Sequence, residues 1–180
     1  MNIAQIQELQ QTLHKLKSLK RAGWVLKGVE DPESVADHSL GLSVLALAMS
    51  KDLNLNTEKL LVMAVLHDIG ESVIGDITPH DGVSKKDKQD KEVKAVRDIL
   101  TKIDSTGVLY ETWLDFEYRR TPEGVFIAQL DKLEAYLQAR SYGLDEDGLA
   151  EFGASTRSAL IDEKLITILD ELEKTTTHTA

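Results

Sequence analysis

The stretch that decides the fold is Leu60-Leu61-Val62-Met63-Ala64-Val65-Leu66-His67-Asp68-Ile69-Gly70. Asn56 or Thr57 can cap a helix here, and its segment Leu60 to Ile69 is apolar on nearly every side, so the helix must be central. It is expected to end at Gly70 or soon after. His67 and Asp68 close the apolar run, which should bury them. A buried ionised carboxylate costs several kcal/mol unless it is paired, hydrogen-bonded or bound to a cation.

Outward from that helix the spacing is again helical. Ile3, Ile6, Leu9, Leu13, Leu16 and Leu19 mark one apolar face of a first helix. The turn Asp31-Pro32-Glu33 opens a second, running from about Ser34 through Leu42, Leu45 and Met49 to Leu53. Further helices are expected near Glu92–Ile103, Leu109–Arg119, Pro122–Tyr142 and Thr156–Glu173. Gly75 to Lys91 reads as a loop and candidate flap, punctuated by Gly75, Pro79 and Gly82, with the charged run Lys85 to Lys91 solvated. No strand alternation or internal repeat appears. The expected architecture is all-α, a single-domain irregular helix bundle over residues 1–174, with a frayed tail at 175–180.

Composition narrows the function. The 180 residues carry 42% hydrophobic and 29% charged side chains, as in an ordinary globular domain. A formal charge of -10 disfavours nucleic-acid polymers as partners but leaves small anions accessible through a local cation. With no cysteine, disulfides and thiolate metal sites are excluded, so any metal sits on His, Asp or Glu. The longest apolar stretch, Leu40 to Met49, falls short of the roughly 20 residues of a membrane span. With no export signal visible at the N-terminus, the expectation is a cytoplasmic protein without membrane contact.

Asp131 has Ile127 and Ala128 behind it and Ala135 ahead at helical spacing, so it too points into a core. His38 lies on the helix face that carries Leu42 and Leu45. One such residue is ordinarily a hydrogen-bonded core group. Three helices each bringing an ionisable group to a buried face is a different matter, and two imidazoles with two carboxylates suit Mn, Co, Fe, Ni or Zn better than Ca or Mg. An ion with an open position lowers the pKa of bound water to about 7.

The strings Pro32-Glu33-Ser34-Val35-Ala36-Asp37-His38-Ser39, His67-Asp68-Ile69-Gly70-Glu71 with Gly75-Asp76, and Asp131-Lys132-Leu133-Glu134 resemble the HD-domain family, more narrowly its YfbR-like 5′-deoxynucleotidases. The resemblance covers about Leu19 to Ala139. It implies a divalent metal on His38, His67, Asp68 and Asp131, and hydrolysis of deoxyribonucleoside 5′-monophosphates by a homodimer. By the same resemblance Glu71 and Asp76 are the acid/base carboxylates; a second cation such as Mg at these two is the alternative. Arg21 is the candidate for the phosphate and Trp24 for the sugar or base, with Glu33 and Ser34 as further walls. In part of the family the Arg and Trp are adjacent, whereas Ala22 and Gly23 separate them here, which leaves Lys85, Lys86 or His80 as other phosphate ligands. HD folds also act on cyclic nucleotides, nucleoside triphosphates or guanosine alarmones, and an inactive metal-binding module is the reading outside enzymology.

Overall fold

The computed structural model describes residues 1–51, 53–78 and 81–175. Ten helices are named among them: α1 (Ile3–Ser18), α2 (Ala22–Leu26), α3 (Val35–Ser50), α4 (Thr57–Leu66), α5 (Glu71–Ile74), α6 (Lys85–Ile103), α7 (Val108–Glu117), α8 (Pro122–Ser141), α9 (Glu146–Ala159) and α10 (Glu163–Lys174). The β pairing among the described residues is an isolated antiparallel bridge between Lys20 and Ser34.

The central helix is α4, capped by the Asn56 side chain and packed against α3, α7 and α8. Two apolar clusters flank it. One joins Leu42 and Ala46 of α3, Leu60 and Met63 of α4, Ile127, Leu130 and Leu133 of α8, and Leu165 and Leu169 of α10. The other joins Leu16, Val35, Leu66, Ile69, Val96, Leu100 and Trp113. Helix α8 lies close enough to α7 that a Cβ at Gly124 would sit 2.4 Å from the Asp115 carbonyl oxygen.

Four expectations need correcting. Lys85 to Lys91 is not loop: Ser84 accepts from the Asp87 amide and starts α6 there, two polar turns before Glu92, Ala95, Val96 and Leu100 become buried. The single helix expected over Thr156–Glu173 is two, α9 and α10, because Gln129 Oε1 accepts from the Ile161 and Asp162 amides at 2.6 and 2.8 Å and turns the chain. Helix α4 stops at Leu66, and α5 restarts at Glu71. On α1 only the end of the apolar stripe is inside: Leu16 is buried, whereas Ile3 and Ile6 are exposed. Of the expected tail at 175–180, Thr175 is described and accepts from Arg140 Nη2 at its carbonyl and hydroxyl oxygens; the rest lies outside the described residues.

Candidate metal centre

Ser34 caps α3 in a reciprocal box with Asp37, which puts His38 one turn in, on the side of the fully buried Leu42. His67 follows α4 directly. Its Nδ1 donates to the Ala64 carbonyl at 2.9 Å, which leaves the lone pair on Nε2. That Nε2 is 3.2 Å from His38 Nε2 and 3.0 Å from Asp68 Oδ2. His38 Nε2 is in turn 3.0 Å from Asp131 Oδ1 and 4.0 Å from Asp68 Oδ2. The two imidazole nitrogens and an Asp68 oxygen thus lie within 4.8 Å of one another, and Asp131, from a third segment, joins them through His38.

Their electrostatics fit a cation. Burial opposes the charge of Asp68, yet His67, Arg21 and His38 outweigh it and hold the carboxyl below its usual range. Asp131 is lowered as well, against burial, by Lys132 and His38. Burial disfavours protonated His38, but hydrogen bonds to Asp131 and Glu134 push its pKa up to about 10. A proton on His38 therefore balances the cluster in the metal-free protein, and a divalent ion would replace it. Glu71, buried beside Asp68 and Asp76, is pushed up to about 10, and its Oε2 lacks a hydrogen-bond partner among the described residues. The donor set and this orphaned oxygen both match a site for a divalent metal.

Asp68 and Asp131 open onto a cavity of about 310 Å³ that also exposes Arg21, Glu71, Asp76 and Lys132. Arg21 Nη1 is 3.2 Å from Asp68 Oδ2. Although burial works against its charge, Asp68, Asp131, Asp76 and Glu71 keep the guanidinium firmly protonated. Asp76 Oδ2 accepts from the Ala22 amide at 2.7 Å, tying its loop to α2. Arg21 caps α2 and Trp24 lies one turn on, so the two intervening residues bring both to the cavity. Trp24 is nonetheless only 1% exposed: Phe152 stacks on it with centroids 4.6 Å apart, and Tyr142 meets it edge-on at 5.3 Å.

The HD-domain family profile matches residues 13–177, nearly the whole chain. The chain belongs to the HD-domain family. Among similar proteins are the mouse 5′-deoxynucleotidase HDDC2, 35% identical over 88% of this chain and 82% of that one, and the Schizosaccharomyces pombe 5′-deoxynucleotidase hdd1, 34% identical over 90% and 87%. A solved structure of a conserved hypothetical protein from Pyrococcus furiosus superposes with a TM-score of 0.77 at 30% identity, covering 93% of this chain and 99% of that one.

Other residues of this HD-domain centre escape a reading of the sequence. Glu134 Oε2 accepts from His38 Nδ1 at 2.5 Å. Lys132 Nζ is 3.1 Å from Asp131 Oδ2. Lys88 of α6 reaches the cavity and donates to the Ile77 carbonyl at 3.0 Å, whereas Lys85 and Lys86 are exposed in the first turn of α6 and do not line it. His80 lies outside the described residues. Glu33 accepts from Trp24 Nε1 at 2.8 Å and Ser34 caps α3, so neither forms a wall. Glu134 had one available signal: it stands three residues past Asp131, on the same helix face.

Proposed function

We propose that this chain hydrolyses deoxyribonucleoside 5′-monophosphates to deoxynucleoside and phosphate, with a divalent cation held by His38, His67, Asp68 and Asp131. The observation that carries the reading is the opening of Asp68 and Asp131, beside the two buried imidazoles, onto a cavity shared by Arg21, Glu71, Asp76 and Lys132. Relatives named 5′-deoxynucleotidase, alike over most of both chains, supply the substrate class. Transmembrane contact is not part of the reading: no helix among the described residues is long and apolar enough to cross a membrane. Cytoplasmic location and a homodimer belong to the proposal on the family likeness and the absence of cysteine.

A cation at these ligands, whether Mn, Co, Fe, Ni or Zn, supplies Lewis-acid chemistry that polarises the phosphoryl group and acidifies water. Arg21 and Lys132 balance the phosphate charge. Asp76 takes the proton of the attacking water. Glu71, its carboxyl protonated by burial and by its acidic neighbours, gives a proton to the departing 5′ oxygen as the new P–O bond forms and the P–O5′ bond breaks. In a second reading a Mg ion sits on Glu71 and Asp76, and the unpartnered Glu71 Oε2 favours it.

The test is phosphate release, with metal supplied, across ribo- and deoxyribonucleoside monophosphates, cyclic nucleotides and triphosphates. Release confined to the deoxyribonucleoside monophosphates is the expected result; a protein that binds metal stoichiometrically and releases phosphate from none of them refutes the proposal. Asp76→Ala is expected to keep its metal content and lose turnover. A fall of one metal per chain in that variant selects the two-cation reading.

A further inference from the structure

We infer that Phe152 of α9 is the platform on which the nucleotide base rests, an inference that builds on the phosphomonoesterase reading above and assigns the holding of the base to α9.

The cavity lining is of two chemical kinds. Beside Asp68 and Asp131 stand the charged Arg21, Glu71, Asp76 and Lys132, with Lys88 from α6, which suit a phosphate. The rest of the lining is uncharged and includes Trp24, Phe152, Ser155 and Thr156. A nucleoside needs a flat apolar surface for its base and few polar groups for its sugar. Trp24 has the flat ring, but it is spent: 1% exposed, its indole N–H bound to Glu33, its face against Phe152. Phe152 also lines the cavity and is only half-buried, so of the two stacked rings it is the one that retains accessible surface. The rings are inclined by only 23°, and a base laid on the phenyl group extends a stack that already exists.

The platform is also held still. Thr156 Oγ1 donates to the Lys132 carbonyl at 3.0 Å, fastening α9 to α8 beside the ligand Asp131. Glu151 pairs with Lys27, fastening α9 to the end of α2. A ring fixed before the ligand arrives loses little freedom on binding. Because every base has a π face, such a platform accepts purines and pyrimidines alike. Ser155, exposed and three residues after Phe152, brings a hydroxyl to the same wall.

The experiment compares metal-loaded wild type, Phe152→Ala and Phe152→Tyr on deoxyribonucleoside 5′-monophosphates and on 2-deoxyribose 5-phosphate, which has no base, used as substrate or as competitor. In Phe152→Ala the preference for the base-bearing compound should fall about tenfold or more, mainly through KM, as expected for loss of one base–aromatic stack. Phe152→Tyr should restore it. An equal loss on both compounds makes Phe152 a packing residue beneath Trp24, and an unchanged preference takes the base elsewhere; either overturns the inference. If wild type turns over none of these compounds, the activity reading fails instead. Calorimetric titration of the same monophosphates into the three proteins then decides the platform, supported by binding lost in Phe152→Ala and kept in Phe152→Tyr, overturned by equal binding.

Discussion

Glu134 receives the Nδ1 proton of His38, so it fixes both the tilt of the imidazole and the nitrogen left for the metal. The space it occupies exists because residue 41 is glycine: a Cβ there would stand 2.5 Å from Glu134 Oε1. Glu134→Gln and Gly41→Ala should each weaken divalent-metal affinity by about ten- to a hundredfold. Titration against a chromogenic chelator measures this, and undiminished affinity in both variants removes the role from Glu134. A second buried carboxyl acts on stability. Burial pushes Glu92 up to about 7, only partly offset by Lys88. A folded-state pKa raised above the unfolded value favours folding below about 4.5 and loses that contribution as pH rises through 7, at a cost near 3 kcal/mol when fully ionised. In EDTA the melting temperature of Glu92→Gln should therefore exceed that of wild type by several degrees at pH 8 and by little at pH 5; a gap that does not widen with pH contradicts it. His67, Asp68 and Asp131 are legible in the sequence because their apolar neighbours make burial costly. Glu134 is legible only through its three-residue step from Asp131, since a glutamate on a helix otherwise looks the same whether it faces water or an imidazole across the core.

Helices α3, α4 and α8 announce themselves through long apolar faces closed by Ser34, Asn56 and Thr121 caps. Helix α9 does not: Gly148 and Gly153 interrupt it, and the residues buried on it are two glycines and a threonine. Its position is set by α8, whose Lys132 carbonyl accepts from Thr156 and whose Gln129 side-chain oxygen serves both amides at the corner between α9 and α10. Gln129→Leu keeps the bulk and strands two N–H groups, so it should destabilise the protein by about 2–4 kcal/mol in urea unfolding. A loss under 0.5 kcal/mol would mean that water takes over both amides. The start of α6 was hidden for the opposite reason. Six charges in seven residues look like a solvated loop until Ser84 is recognised as a cap, and only the turn after them carries an apolar side. Since that stretch supplies Lys88 to the cavity, misreading the element also conceals a cation of the site.

Across the whole molecule the proposed ligands stand where the two apolar clusters meet: the His67 ring meets Phe116 of one edge-on, and the His67 carbonyl accepts from Trp113 of the other. Binding a metal should therefore strengthen the contact between the clusters, adding about 4 kcal/mol at a thousandfold excess over the dissociation constant. Chelation should lower the melting temperature in one transition; an unchanged melt on removal of a stoichiometric metal would contradict this. That the fold is an all-helical bundle follows from periodicity alone, but the meeting of its halves at the ligands depends on contacts between residues about a hundred positions apart. The bridge between Lys20 and Ser34 has a different consequence. With Arg21 N–H bound to the Glu33 carbonyl at 3.1 Å and Val35 N–H to the Leu19 carbonyl at 2.9 Å, the chain leaves and re-enters the body at one clamped point. The clamp holds both ends of 21–33, so a change within that loop need not shift the register of α3. The loop also carries Arg21 and Trp24 to the cavity and ties to Asp76 through the Ala22 amide. For an engineer the same clamp marks 21–33 as a unit to be moved whole, with Asp76 as the contact that must travel with it.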